Sequence, residues 1–148
     1  MSERIVNNDT KELLKECNSG IQMGVSAIEE LLPSVKNHSL KTIIENNHQK
    51  HMDLGNETHK ILNENGLPND EPNPMAKTMS WIKINTKYAF NSTDNEIADL
   101  LIDGCNMGVK SINKYLNQYE NAENNAKDLA IRLADIEEQL SVDLRPYL

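Results

Sequence analysis

The sequence predicts an all-α protein built as an antiparallel four-helix bundle, and three observations lead to this fold class. Apolar residues recur at steps of three and four along four long segments, which is the spacing of an amphipathic helix. Aromatic residues make up only 4% of the chain, fewer than a β-sandwich or barrel normally uses. Two connections between long helices are short, whereas roughly 27 residues separate the two helical pairs, which is the ferritin-like arrangement with one long crossover.

The first pair of helices is predicted at about residues 10–32 and 39–65 of a single domain that covers residues 1–148. Asp9 followed by Glu12 is typical of a helix start, and Pro33 ends the first helix. Asn65 and Gly66 end the second, because glycine readily takes the left-handed conformation found after a helix.

The second pair is predicted at about residues 94–119 and 122–145, after a crossover that contains a short helix at about 74–90. Pro74 suits the first turn of that short helix. Thr93 followed by Glu96 forms a capping box for the third long helix, and the last helix ends before Pro146. Its inward stripe is predicted to contain Leu129, Leu133, Ile136, Leu140 and Leu144.

Two similar stretches, "GIQMGVSAI" at residues 20–28 and "GCNMGVKSI" at residues 104–112, indicate an internal duplication. Each places two glycines four residues apart inside a helix, at a cost of roughly 0.5–1 kcal/mol per glycine. A close crossing of the two glycine helices would offset that cost. The alternative is a gap that admits a ligand or a partner helix. The predicted helix-packing residues are Gly20, Gly24, Gly104 and Gly108.

Three segments resemble a family of uncharacterised bacterial proteins with a ferritin-like domain, found mainly in anaerobic spore-formers. They are "PNPMAK.MSW" at residues 72–81, "DGCNMGVKS.N.YLNQY" at residues 103–119 and "H..LG.E.H" at residues 51–59. The resemblance covers nearly the whole chain and implies a ferritin-like bundle, without implying an activity. Within the wider superfamily it also brings iron binding and a structural role in the spore coat into consideration.

A ferritin-type di-iron centre needs a Glu from each of two helices and Glu-x-x-His from each of the other two. Here the inward positions of the first and third long helices are glycines, so an intact centre is not expected. The candidate metal ligands are His48, His51 and Glu137. His51 is the ionisable residue predicted to point squarely inward, either as a hydrogen-bonded core histidine or as a ligand contact beside Asn47 or Glu137.

The net charge of −8 disfavours nucleic acid and anionic membranes as partners. No apolar run is long enough to span a bilayer, and the N-terminal residues lack the apolar segment of a signal peptide, so a cytoplasmic protein is expected. Cys17 and Cys105 have no metal-type spacing and are expected to be free thiols.

The sequence leaves enzymatic activity open and favours a non-catalytic role, because it contains no phosphate-binding loop and no nucleophile motif. We expect the protein to act by binding another protein, with a homodimer as one such partner and with no cofactor. Trp81 is expected either to hold the crossover on the bundle or to lie in a dimer contact. The alternatives are a divergent iron-binding protein of the ferritin-like superfamily and a structural protein of the spore coat.

Overall fold

The computed structural model describes residues 6–67 and 93–148, and this part of the chain contains four α-helices and no strand. The helices are α1 (Asn8–Leu31), α2 (His38–Glu64), α3 (Asp94–Gln118) and α4 (Asn124–Leu144). Single 3₁₀ turns follow α1 and α4 at Leu32–Ser34 and Arg145–Tyr147. The predicted all-α class is confirmed, and the short helix predicted at about 74–90 lies outside the described residues.

Side-chain caps determine where three of the helices begin. Asn7 accepts a hydrogen bond from the Thr10 amide at the start of α1, and Asn37 accepts one from the Leu40 amide at the start of α2. The predicted capping box of Thr93 and Glu96 is present at α3. The α1 cap is therefore two residues earlier than Asp9, because Asn7 already satisfies the first free amide of the helix.

The first residues of α1 contact the connection between α3 and α4, and the first residues of α3 contact the connection between α1 and α2. The Asp9 carboxylate accepts a hydrogen bond of 3.0 Å from the Asn121 amide, between α3 and α4. The Asp94 carboxylate accepts bonds of 2.9 Å each from the Lys36 and Asn37 amides, between α1 and α2. Each of these two connections is thus fixed by the N-terminal turn of a helix that it does not join.

The apolar core consists of two clusters at different levels of the bundle. The first cluster joins Leu13 and Leu14 of α1 to Leu129 and Leu133 of α4. The second contains Ile28 and Leu31 of α1 with residues from the other three helices, among them Leu40, Ile44, Ile97 and Leu140. Between the two clusters lie the buried polar residues Asn47, His51 and Glu137, so the bundle has a distinct middle level. None of the four described helices is both long and apolar enough to cross a membrane.

Candidate functional site

A groove opens between α1 and α3 at the middle level of the bundle, with a volume of about 260 Å³. All four predicted glycines line it, two on each wall: Gly20, Gly24, Gly104 and Gly108. Most of the remaining wall is apolar, with Met23, Ala27 and Leu101 as examples. The floor is formed by residues of the other two helices, His51 of α2 and Glu137 and Leu140 of α4.

Two of the glycines leave room for the polar side chains of the floor. A Cβ atom at Gly24 would lie 2.7 Å from Nε2 of His51, and one at Gly108 would lie 1.7 Å from Oε2 of Glu137. Both distances are too short for any side chain, so the imidazole and the carboxyl occupy space that only glycine provides. The Cβ positions of Gly24 and Gly108 therefore face side chains of α2 and α4. In the predicted close crossing, each of these glycines would instead pack against the other glycine helix.

His51 is buried, as predicted, with only 1% of its surface exposed. Its Nδ1 lies 3.1 Å from the carbonyl oxygen of Asn47, one turn earlier on α2. A carbonyl can only accept, so Nδ1 carries a proton and donates it. The Nε2 atom lies 3.5 Å from Oε1 of Glu137. A hydrogen bond between these two atoms requires one further proton, carried either by Nε2 or by the carboxyl.

Glu137 is the buried acid of the site, with 6% of its surface exposed. Burial raises the pKa of its carboxyl, and the hydrogen bond and charge of His51 act in the opposite direction. Oε1 faces His51, whereas Oε2 is buried without a hydrogen-bond partner. A buried polar atom without a hydrogen-bond partner costs free energy. Oε2 is therefore the atom of the groove floor that still needs a hydrogen-bond donor.

Both cysteines are free thiols in the structure, and both are buried. Burial raises the pKa of Cys17 to about 12, with a smaller contribution from Glu16. The Cys105 thiol, which lines the groove, also has its pKa raised to about 12, by burial and then by the charge of Glu137. Both thiols are therefore protonated at neutral pH, and neither has the character of a nucleophile.

Two of the three candidate metal ligands, His51 and Glu137, are brought together, and His48 is not. His48 lies at the surface, where its Nε2 is 3.1 Å from Oε1 of Glu29, so it is separated from the buried pair of His51 and Glu137. Nowhere in residues 6–67 and 93–148 do three His, Cys, Asp or Glu side chains form a group that could hold a metal ion. Two ligands do not fit the di-iron centre of a ferritin, which uses four carboxylates and two histidines.

The buried Glu137 predicts a pH dependence that the Glu137→Gln variant should remove. Because its folded-state pKa is raised, the folded protein binds the proton more tightly than the unfolded chain does. The parent should therefore lose stability, relative to the variant, as pH rises from about 4.5 through the folded-state pKa, and the difference should then level off. Urea unfolding measured between pH 4.5 and 8 checks this expectation.

The matched control is Glu138→Gln, which removes a carboxylate from the exposed neighbouring position. Its unfolding free energy should follow the parent across the same pH range. The groups that face Glu137 are His51 and Cys105, and both are unchanged in the two variants. A pH profile of Glu137→Gln that runs parallel to the parent would contradict a strained buried carboxyl.

Comparisons with known proteins bear on the fold alone. No known family and no curated protein matches this sequence. The crystal structure of a DUF305 fragment from Deinococcus radiodurans is similar to this chain, with a TM-score of 0.71 over 97% of each chain and a sequence identity of 10%. At that identity the likeness shows a shared helical fold. Membership of the bacterial ferritin-like family stays a prediction.

Proposed function

We propose that this chain is a non-catalytic binding protein on an antiparallel, ferritin-like bundle, and that the groove between α1 and α3 is its binding site. The observation that carries the proposal is the pairing of glycine walls with a buried carboxyl oxygen that has no partner. The groove between the glycine walls has an open apolar surface, which a bound molecule would cover.

The reciprocal contacts at the bundle ends support an antiparallel arrangement with internal duplication. Asp9 contacts Asn121, and Asp94 contacts Asn37. Asn37 and Asn121 are 84 positions apart, which is also the separation of Gly20 and Gly104. Asp9 and Asp94 are 85 positions apart, so the two asparagines follow the offset of the glycine motif and the two aspartates do not.

The chemistry of the groove favours binding over catalysis. His51 and Glu137 face each other, and each is fixed by burial. The Cys105 thiol is neutral at physiological pH because its pKa is raised to about 12. Both ring nitrogens of His51 are engaged, by the Asn47 carbonyl and by Glu137, so the imidazole has no free nitrogen to exchange a proton with a bound molecule.

The size of the groove favours a small elongated molecule as its occupant. Its volume of about 260 Å³ is close to the lower end of the range of about 300–1,000 Å³ found for small-molecule pockets. The protein partner expected from the sequence, including a homodimer, would therefore use surface outside the groove. Exposed Met107 at its rim is one apolar side chain available for such a contact. A spore-coat role and a cytoplasmic location rest on the sequence alone.

The binding function is tested by adding 1-octanol, a neutral elongated probe. Its binding is monitored through the amide chemical shifts in ¹H–¹⁵N NMR spectra. Shifts should cluster at the groove glycines of the parent protein. The variant Gly20→Leu places a side chain in the groove and should abolish them, whereas Lys110→Leu, at an exposed position of α3 away from the groove, should not. Octanol shifts that persist unchanged in Gly20→Leu would overturn the assignment of the site.

A further inference from the structure

We propose that the groove takes a linear aliphatic amine with an ammonium group at each end, one held by Glu137 at the floor and the other by Glu16 at the rim. This inference rests on the proposed binding function and names the chemical class of the ligand. It follows from the position of two carboxylates in the groove, from the length of wall between them and from the apolar character of that wall.

Glu137 supplies the inner anchor. Its side chain is more than nine-tenths buried and forms part of the groove floor, and Oε2 has no hydrogen-bond partner. An ammonium group donates up to three hydrogen bonds, and one of them would supply Oε2 with the donor that it lacks. A neutral alcohol could also donate one hydrogen bond there, but it has no second charged end to interact with Glu16.

The charges of the groove select a cation. Its lining includes two acidic residues, Glu16 and Glu137, and no lysine or arginine. The whole chain carries a formal net charge of −8, which adds to the negative potential of the site. An anionic ligand would meet repulsion at both ends of the groove, whereas a dication would be attracted to each.

The distance between the carboxylates determines the length of the ligand. Glu16 lies eight residues before Gly24 on α1, which corresponds to about 12 Å along the helix axis. Gly24 is the residue against which the His51 ring packs, and that ring lies 3.5 Å from Glu137. The groove thus extends for about two turns of α1 between the level of Glu137 and that of Glu16. A chain of about four to eight methylene groups fits this length once a hydrogen bond of about 2.8 Å is allowed at each end.

The wall between the two carboxylates suits a methylene chain. It includes Gly20 and Met23 of α1 and Ile112 of α3. Glycine gives the chain close contact with the helix backbone, and the apolar side chains exclude water from it. Burial and then the charge of Glu16 raise the pKa of the Tyr115 hydroxyl, so Tyr115 lies close to the outer carboxylate.

The test is calorimetric titration of the parent with α,ω-diaminoalkanes of increasing length, beside 1-aminooctane and 1-octanol. Affinity should be greatest for chains of about four to eight carbons and should fall as salt screens the charges. Glu137→Gln should weaken all amines by about 10- to 100-fold, which is the range for loss of a charged hydrogen bond. Glu16→Gln should reduce the diamine to the affinity of 1-aminooctane and leave 1-aminooctane unchanged.

The control variant is Glu12→Gln, which removes a carboxylate one turn earlier on α1, outside the groove lining, and should bind the diamine as the parent does. Thermal unfolding of each variant confirms that it is folded. Diamines that bind no more tightly than 1-octanol would overturn this inference while leaving the groove as a binding site. Equal affinity of the parent and Glu137→Gln for 1-aminooctane would overturn it as well. Absence of octanol shifts would instead remove the proposed function.

Discussion

Leu133→Ala is expected to destabilise the protein by about 3 kcal/mol, within the range of about 2–5 kcal/mol for removing a fully buried leucine. Leu133 has no exposed surface and belongs to the core cluster with Leu13 and Leu129. One of its methyl groups lies 3.5 Å from the position of a Cβ on Gly20, at the groove wall. Truncation would leave a cavity beneath the groove, because the helix backbones can close the space only in part. Urea unfolding monitored by circular dichroism measures the loss.

Ile131→Ala is the matched control, since it removes an aliphatic side chain of the same size from the same helix. Half of the Ile131 surface is exposed, so the expected loss is within about 0.5–1 kcal/mol. Comparable losses of unfolding free energy for the two variants would show that the face of α4 that contains Leu133 does not pack in the core. Octanol binding to Leu133→Ala should persist, because the glycine walls and the buried carboxyl remain in place.

The helices of this fold could be predicted because their signals are local. Caps, proline stops and apolar periodicity act within a few residues, and the ends of the four long helices differ from their predicted positions by no more than two residues. The capping box of Thr93 and Glu96 shows this clearly, since both of its hydrogen bonds form within one turn. The ferritin-like arrangement depends on how the helices pack against one another. Local sequence signals do not determine this packing.

The structure confirms the inward face predicted for α4 except at one position. Leu129, Leu133, Leu140 and Leu144 are buried as expected, but Ile136 is only partly buried, and the neighbouring Glu137 takes the buried position. Hydropathy favours the isoleucine, yet it contains no information about the opposite helix. Gly108 of α3 leaves space for a carboxyl at that height, and this space determines which side chain turns inward.

The site could be predicted only in its parts. His51 and the four glycines were placed on inward faces by helical periodicity, and His51 is indeed buried. Its contact with Gly24 and with Glu137 depends on the relative heights of three helices, which a single sequence does not specify. The one available signal was the cost of glycine inside a helix, which indicates that something occupies the space a side chain would fill.

Gly24→Ala should destabilise the protein by about 1–3 kcal/mol, although alanine is the better helix former by about 0.5–1 kcal/mol. The added methyl group would lie 2.7 Å from Nε2 and 2.8 Å from Cδ2 of His51. The imidazole ring is rigid, buried and hydrogen-bonded to the Asn47 carbonyl, so it can move only by breaking that bond. Thermal and urea unfolding should both report the loss, and the resonances of His51 should shift.

Gly20→Ala provides the control, four residues earlier on the same face of α1. Its methyl group would lie 3.5 Å from Leu133, an ordinary contact, so the gain in helix propensity should raise stability by about 0.5–1 kcal/mol. Combining Gly24→Ala with His51→Ala removes the clash, so the double variant should be more stable than the sum of the single losses predicts. Equal effects of alanine at Gly20 and Gly24 would contradict this explanation. The same substitution should have opposite signs at these positions, because helix propensity acts at both whereas the His51 ring blocks only Gly24.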